Sequence, residues 1–136
     1  MIFLSLFRIS YFVLLQEILE RILNIASAEC SEEEFAMMLD QNTCFDHSSS
    51  SPLREACRSL NCGAVKLLLR FGASADEENG TGTYPVCALQ FEGTGNLCEL
   101  KTVQILTYMM GFMQFKSRDC NRYIYLLCEH CIEKVL

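Results

Sequence analysis

Apolar residues recur at helical spacing through the first third of the chain. They form pairs at Tyr11/Phe12, Leu14/Leu15, Ile18/Leu19, Ile22/Leu23 and Ile25/Ala26. Polar residues fill the positions between these pairs, namely Gln16, Glu17, Glu20, Arg21 and Asn24. This alternation predicts an amphipathic helix over residues 9–27.

The first 15 residues, MIFLSLFRISYFVLL, are apolar but are interrupted by Ser5, Arg8 and Ser10. The segment is shorter than the roughly 20 residues that span a bilayer. It also lacks the basic start of a signal peptide. We expect no membrane role for it, and a secreted or membrane-attached protein that uses residues 1–15 is the alternative.

A second pattern, of two short helices, occupies residues 51–72. Ser51 is a good N-cap, and Pro52 suits a first helical turn, where its missing N–H is not needed. The tripeptide at 61–63, Asn-Cys-Gly, indicates a turn. The second helix is predicted over residues 64–71, and Gly72 after it is expected to adopt a positive φ as a C-cap.

Helices this short are not stable alone and favour stacking on similar units. Pro85 lies 33 residues after Pro52, and Val86 corresponds to Leu53. A helix–turn–helix unit of 33 residues is the ankyrin period.

The chain resembles the ankyrin-repeat family at these residues. SPLREAC (51–57) stands where the family has TPLHxAA, and VKLLLRFGA (65–73) stands for VxLLLxxGA. Leu60 and Asn61 replace the family's Gly-His. The resemblance implies an all-α fold, a short solenoid of stacked helix-turn-helix repeats with terminal capping helices.

The same resemblance divides one domain, residues 1–136, into four parts. Residues 9–45 hold the N-terminal helix and a weak first repeat, in which LNIAS (23–27) and FAMMLDQN (35–42) match. Residues 46–78 are the clear repeat. Residues 79–115 are a degenerate repeat, opened by YPVCALQ (84–90), whose VQILTYM (103–109) aligns after an insertion of about five residues. Residues 116–136 form a C-terminal cap.

Composition narrows the range of partners. The formal net charge is −6, which argues against nucleic acid, because binding to phosphates depends on clustered Lys and Arg. The 9 cysteines are interpreted as reduced core residues, which suits a cytoplasmic or nuclear protein.

No catalytic motif is present, and we expect neither an enzyme nor a cofactor. SEEEF (31–35) is interpreted as a helix start, with Ser31 as N-cap and glutamates in the first turn. Cys120, Cys128, Cys131 and His130 are the only candidate zinc ligands. Cys128 and Cys131 also fit a core stripe, so we expect no metal.

Ankyrin proteins bind other proteins through their turn tips and the exposed side of their inner helices, and the resemblance therefore implies a non-enzymatic protein-interaction module. Carried over by register, its concave binding surface consists of His47, Ser50, Arg58, Ser59, Glu78, Thr81, Thr83, Phe91 and Glu92. The identity of the protein partner is not implied. Phe91 is either a contact anchor or a plug against the inserted segment.

The last helical pattern, residues 122–136, is predicted to cap the stack with one apolar stripe. A second resemblance offers an alternative. Leu127, Cys128, Ile132 and Leu136 match the spacing of the elongin-binding helix of SOCS-box proteins. That would make the chain a substrate-receptor subunit of an elongin–cullin ubiquitin ligase, with Leu127 and Cys128 entering an apolar pocket of elongin C. Glu129 and Glu133 depart from that pattern, which has Arg at both positions.

Overall fold

A computed structural model describes residues 2–40, 43–45, 48–76, 84–89 and 96–135, with side chains described within 15–40, 51–76, 84–89 and 100–129. Most of these residues are helical, as the sequence predicts. The helices are α1 (Ile2–Glu29), α2 (Glu32–Leu39), α3 (Pro52–Arg58), α4 (Cys62–Arg70), a 3₁₀ helix (Pro85–Ala88), α5 (Asn96–Met110) and α6 (Arg118–Val135).

Helix α1 is longer than predicted, because it begins at residue 2 rather than 9 and ends at residue 29 rather than 27. Its apolar residues are buried on one side only. Leu23 is buried and Leu19 is partly buried against the core, whereas Ile18 and Ile22 are exposed. Within the described residues, α1 contacts α2 and α4, so its wide apolar arc is only partly covered.

Helix α2 begins as its sequence predicts. The hydroxyl of Ser31 accepts a hydrogen bond from the backbone N–H of Glu34. A short hairpin follows, in which strand β1 (Thr43–Phe45) pairs antiparallel with strand β2 (Ser48–Ser50). Asp40, the C-cap of α2, accepts a hydrogen bond from Ser74 N at 2.9 Å, which ties the end of α2 to the residues after α4.

Helices α3 and α4 form the central helical pair. Ser51 caps α3 with Pro52 in its first turn, as predicted. Gly72 has a φ of 104°, also as predicted. The predicted turn at 61–63 is wrong, because Asn61 caps α4 by accepting from Ala64 N and the next two residues are already helical. The chain instead reverses at Leu60, which has a φ of 54°.

The segment that the sequence assigns to a degenerate repeat, residues 79–115, differs in its helix lengths from the α3–α4 pair. Its described residues include the one-turn 3₁₀ helix and α5, which runs for 15 residues. The 3₁₀ helix packs on α3, and α5 packs on α4. The thiol of Cys57 on α3 donates to the sulfur of Met109 on α5 at 3.4 Å.

Helix α6 packs against the 3₁₀ helix. Its Tyr123 hydroxyl reaches two carbonyl oxygens there, that of Leu89 at 2.7 Å and that of Cys87 at 3.3 Å. Cys120, Ile124 and Leu127 on the same face are buried in the core. These contacts hold α6 against the 3₁₀ helix and the core.

Candidate interaction surface

Two of the residues predicted to bind a partner lie at the end of α3. Arg58 is half exposed and forms an ion pair with Glu55, whose Oε1 lies 3.2 Å from its Nη1. Ser59 is the exposed C-cap, and its hydroxyl donates to the carbonyl of Glu55 at 2.9 Å. A surface ion pair between residues one helical turn apart adds little stability. Little folding free energy is therefore lost when Arg58 or Glu55 pairs with a charge on a binding partner instead.

Seven other predicted residues cannot be placed in the same way. Ser50 lies in strand β2, but its side chain is not among the described ones. The following lie outside the described residues: His47, Glu78, Thr81, Thr83, Phe91 and Glu92. The described part of the chain therefore brings together only Arg58 and Ser59 from the predicted surface.

The first two proposed elongin-binding residues, Leu127 and Cys128, are turned toward the core of the domain. Leu127 is only 6% exposed and Cys128 is half-buried against the core. In this conformation the leucine side chain is not available to enter a pocket on another protein. The side chain of Ile132, within α6, is not among the described ones, and Leu136 lies outside the described residues. Elongin binding through this helix would require α6 to leave the 3₁₀ helix.

The cysteines with described side chains are all free, namely Cys30, Cys57, Cys62, Cys87, Cys120 and Cys128. Burial raises the pKa of the Cys57 thiol to about 12. Burial also raises the pKa of Cys120 to about 11, with smaller contributions from Cys87 and Asp76. Both thiols are neutral at pH 7 and inert as nucleophiles. Within the described residues, no three His, Cys, Asp or Glu side chains are grouped to hold a metal ion.

A cleft of about 700 Å³ opens between the end of α4 and the loop before α6. Leu69 and Phe112 give it apolar walls, and Asp76 and Lys116 give it charge. The Asp76 carboxylate already accepts a hydrogen bond from Gln114 N. The Asp76 carboxylate is thus occupied by a backbone hydrogen bond, and Lys116 is the other charged residue of the described lining. These lining residues include no set of side chains arranged for catalysis.

A lysine of α4 and two aromatic residues at the end of α5 and just after it form a surface group that the sequence analysis does not predict. Lys66 Nζ lies 5.6 Å from the centre of the Tyr108 ring. The same ring lies 5.3 Å from that of Phe112, which is exposed. The spacing of Tyr108 and Phe112, four residues apart at the end of a helical pattern, was the available signal. The approach of Lys66 depends on the packing of α4 on α5, which no local pattern reveals.

No family model, no curated protein and no solved structure matches the chain. The resemblance to ankyrin repeats therefore depends on the residues quoted above. Among the described residues, no helix is both long enough and apolar enough to cross a membrane.

Proposed function

We propose that the chain is a short ankyrin-type stack that binds another protein through the side of α3 that carries Arg58 and Ser59. One observation carries the proposal: residues one repeat apart have the same environment. Leu53 and Val86, 33 positions apart, are 1% and 0% exposed. Equivalent burial at the repeat distance supports the stacking of similar units.

The outer helices support the same register. The buried pair Leu67–Leu68 of α4 corresponds to the buried pair Ile105–Leu106 of α5, at a distance of 38 residues. This distance is the 33-residue period plus the insertion of about five residues. The left-handed backbone of Leu60, at the position where the family has glycine, is a further point of agreement.

A stack of this kind binds partners on its surface and does not catalyse a reaction. Its buried face holds α3 against α4 and the 3₁₀ helix, and its exposed polar side chains remain available for contact. A reducing compartment, the cytoplasm or the nucleus, suits its neutral buried thiols.

The proposal is tested with two matched charge reversals, Arg58→Glu on α3 and Arg70→Glu at the end of α4, both at exposed arginines. Each variant is used for affinity purification from cells that express the protein, and the recovered proteins are quantified by mass spectrometry. We expect a set of proteins that Arg58→Glu loses and Arg70→Glu retains, with equal helical circular dichroism. Equal recovery by both variants, or no specific recovery by the wild type, would reject this surface.

A further inference from the structure

Helix α1 carries an apolar stripe that the described part of the chain leaves uncovered. The stripe consists of Leu15, Ile18, Ile22 and Ile25, which are 39%, 45%, 54% and 58% exposed. Their successive spacings of three, four and three residues place them on one face of the helix. Four large aliphatic side chains in one row form an exposed apolar patch, and such patches are often functional.

The domain occupies the neighbouring face of the same helix. Leu23 lies about 100° around the helix from Ile22 and is 3% exposed. Gln16, next to Leu15 in the chain, lies against Gly63 at the start of α4. Helix α1 is therefore fixed to the body along one face, and the stripe faces away from it.

The stripe has the spacing of a coiled-coil seam. Because three, four, three is the same sequence of spacings in both directions, the stripe fits its own copy when the two helices run antiparallel. Leu15 then opposes Ile25, and Ile18 opposes Ile22, related by a two-fold axis. We propose that the α1 stripe is a homodimer interface that pairs with the same stripe of a second copy of this chain.

The charges of α1 favour a protein rather than a lipid surface as the occupant. The exposed polar residues on the described part of the helix include three glutamates, Glu17, Glu20 and Glu29, and one arginine, Arg21. Helices that lie on anionic membranes carry Lys and Arg on their polar face. A second copy needs no such charge, because it supplies the matching apolar row.

The test is the molar mass of the purified full chain, measured by size-exclusion chromatography with light scattering under reducing conditions. We expect the wild type to have twice the mass of one chain, and Ile18→Glu/Ile22→Glu to have the mass of one chain with an unchanged helical signal. The matched control is Leu126→Glu on α6, whose leucine is 52% exposed; this variant is expected to remain dimeric. A monomeric wild type, or a dimeric double variant, would overturn the proposal.

Two further measurements distinguish the other arrangements. In flotation with vesicles of phosphatidylcholine, with and without phosphatidylserine, the wild type is expected to remain unbound. If the wild type floats with the vesicles and Ile18→Glu/Ile22→Glu does not, the stripe binds a lipid surface and not a second copy.

An antiparallel pair centred near residue 20 holds the two Cys30 residues roughly 30 Å apart. Oxidative cross-linking between copies that Cys30→Ser abolishes would therefore overturn the antiparallel arrangement.

Discussion

The side chain of Gln16 lies directly against Gly63, where α1 crosses the beginning of α4. A methyl group placed on Gly63 would overlap the amide group of Gln16. Glycine at this position therefore allows α1 to approach α4 closely, and it does not reverse the chain. The sequence pattern predicts a turn here, but the glycine lies in the first turn of a helix.

The first prediction concerns Gly63→Leu, which should push α1 away from α4 and lower stability by on the order of 1–3 kcal/mol, the usual cost of overpacking. Gly63→Ala should be nearly neutral, because only the flexible end of Gln16 has to move. Urea unfolding measures both changes. If the collision is the cause, Gln16→Ala combined with Gly63→Leu recovers part of the loss; no recovery would assign the cost to another contact.

Gly72→Ala tests the backbone at the end of α4. The φ of Gly72 is 104° and nothing lies within 4 Å of an added Cβ, so the whole cost is backbone strain. We expect a loss of about 1 kcal/mol for Ala and more for Val, whose branched side chain is more restricted. Gly111→Ala is the matched control, since its Cβ would make only ordinary contact with Tyr108 O. Equal melting temperatures for all three variants and the wild type would contradict this explanation.

Much of the α3–α4 pair was predictable because its signals are local. Ser51, Pro52 and Gly72 each determine backbone geometry through their own chemistry, and the structure confirms all three. Leu60 was not predictable as the turn residue. A leucine at positive φ has an unfavourable local preference, which the packing of α3 on α4 overrides.

The packing partners of α1 and α6 were harder to predict. Periodicity predicts that a face is apolar but not what covers it, so Leu23 and Ile22 look equivalent in the sequence although only Leu23 is buried. The same limit applies to Leu127, whose spacing fits both a capping helix and an elongin-binding helix. Its burial is a tertiary property, set by the contact of α6 with the 3₁₀ helix.

Tyr123→Phe should weaken the attachment of α6. The hydroxyl donates hydrogen bonds to the carbonyls of Leu89 and Cys87. Its loss leaves the buried end of the 3₁₀ helix without this donor. We expect a loss of about 1–2 kcal/mol and faster hydrogen exchange along α6. Tyr125→Phe removes the same atom from a side chain that is 63% exposed, so it should change neither quantity. Equal effects of the two variants would exclude a specific role for the Tyr123 hydroxyl.

The last prediction concerns alkaline pH. In the folded chain the pKa of Cys57 is about 12, against 9.0 for an unperturbed thiol. Above pH 9 the unfolded chain therefore loses this proton while the folded chain keeps it, so the unfolded state binds fewer protons and stability falls as pH rises. Through Cys57 alone, the free energy of unfolding falls by up to about 1.4 kcal/mol per pH unit between pH 9 and pH 12.

Urea unfolding under reducing conditions at pH 8 and pH 10.5 measures this contribution. We expect Cys57→Ala to lose less stability between the two pH values than the wild type does, by on the order of 1–2 kcal/mol. Val65→Ala is the control, because Val65 is equally buried and has no proton to lose. It should lower stability at both pH values and keep the steep pH dependence of the wild type. The same shallow dependence in both variants would assign the effect to general loosening of the core rather than to the Cys57 thiol.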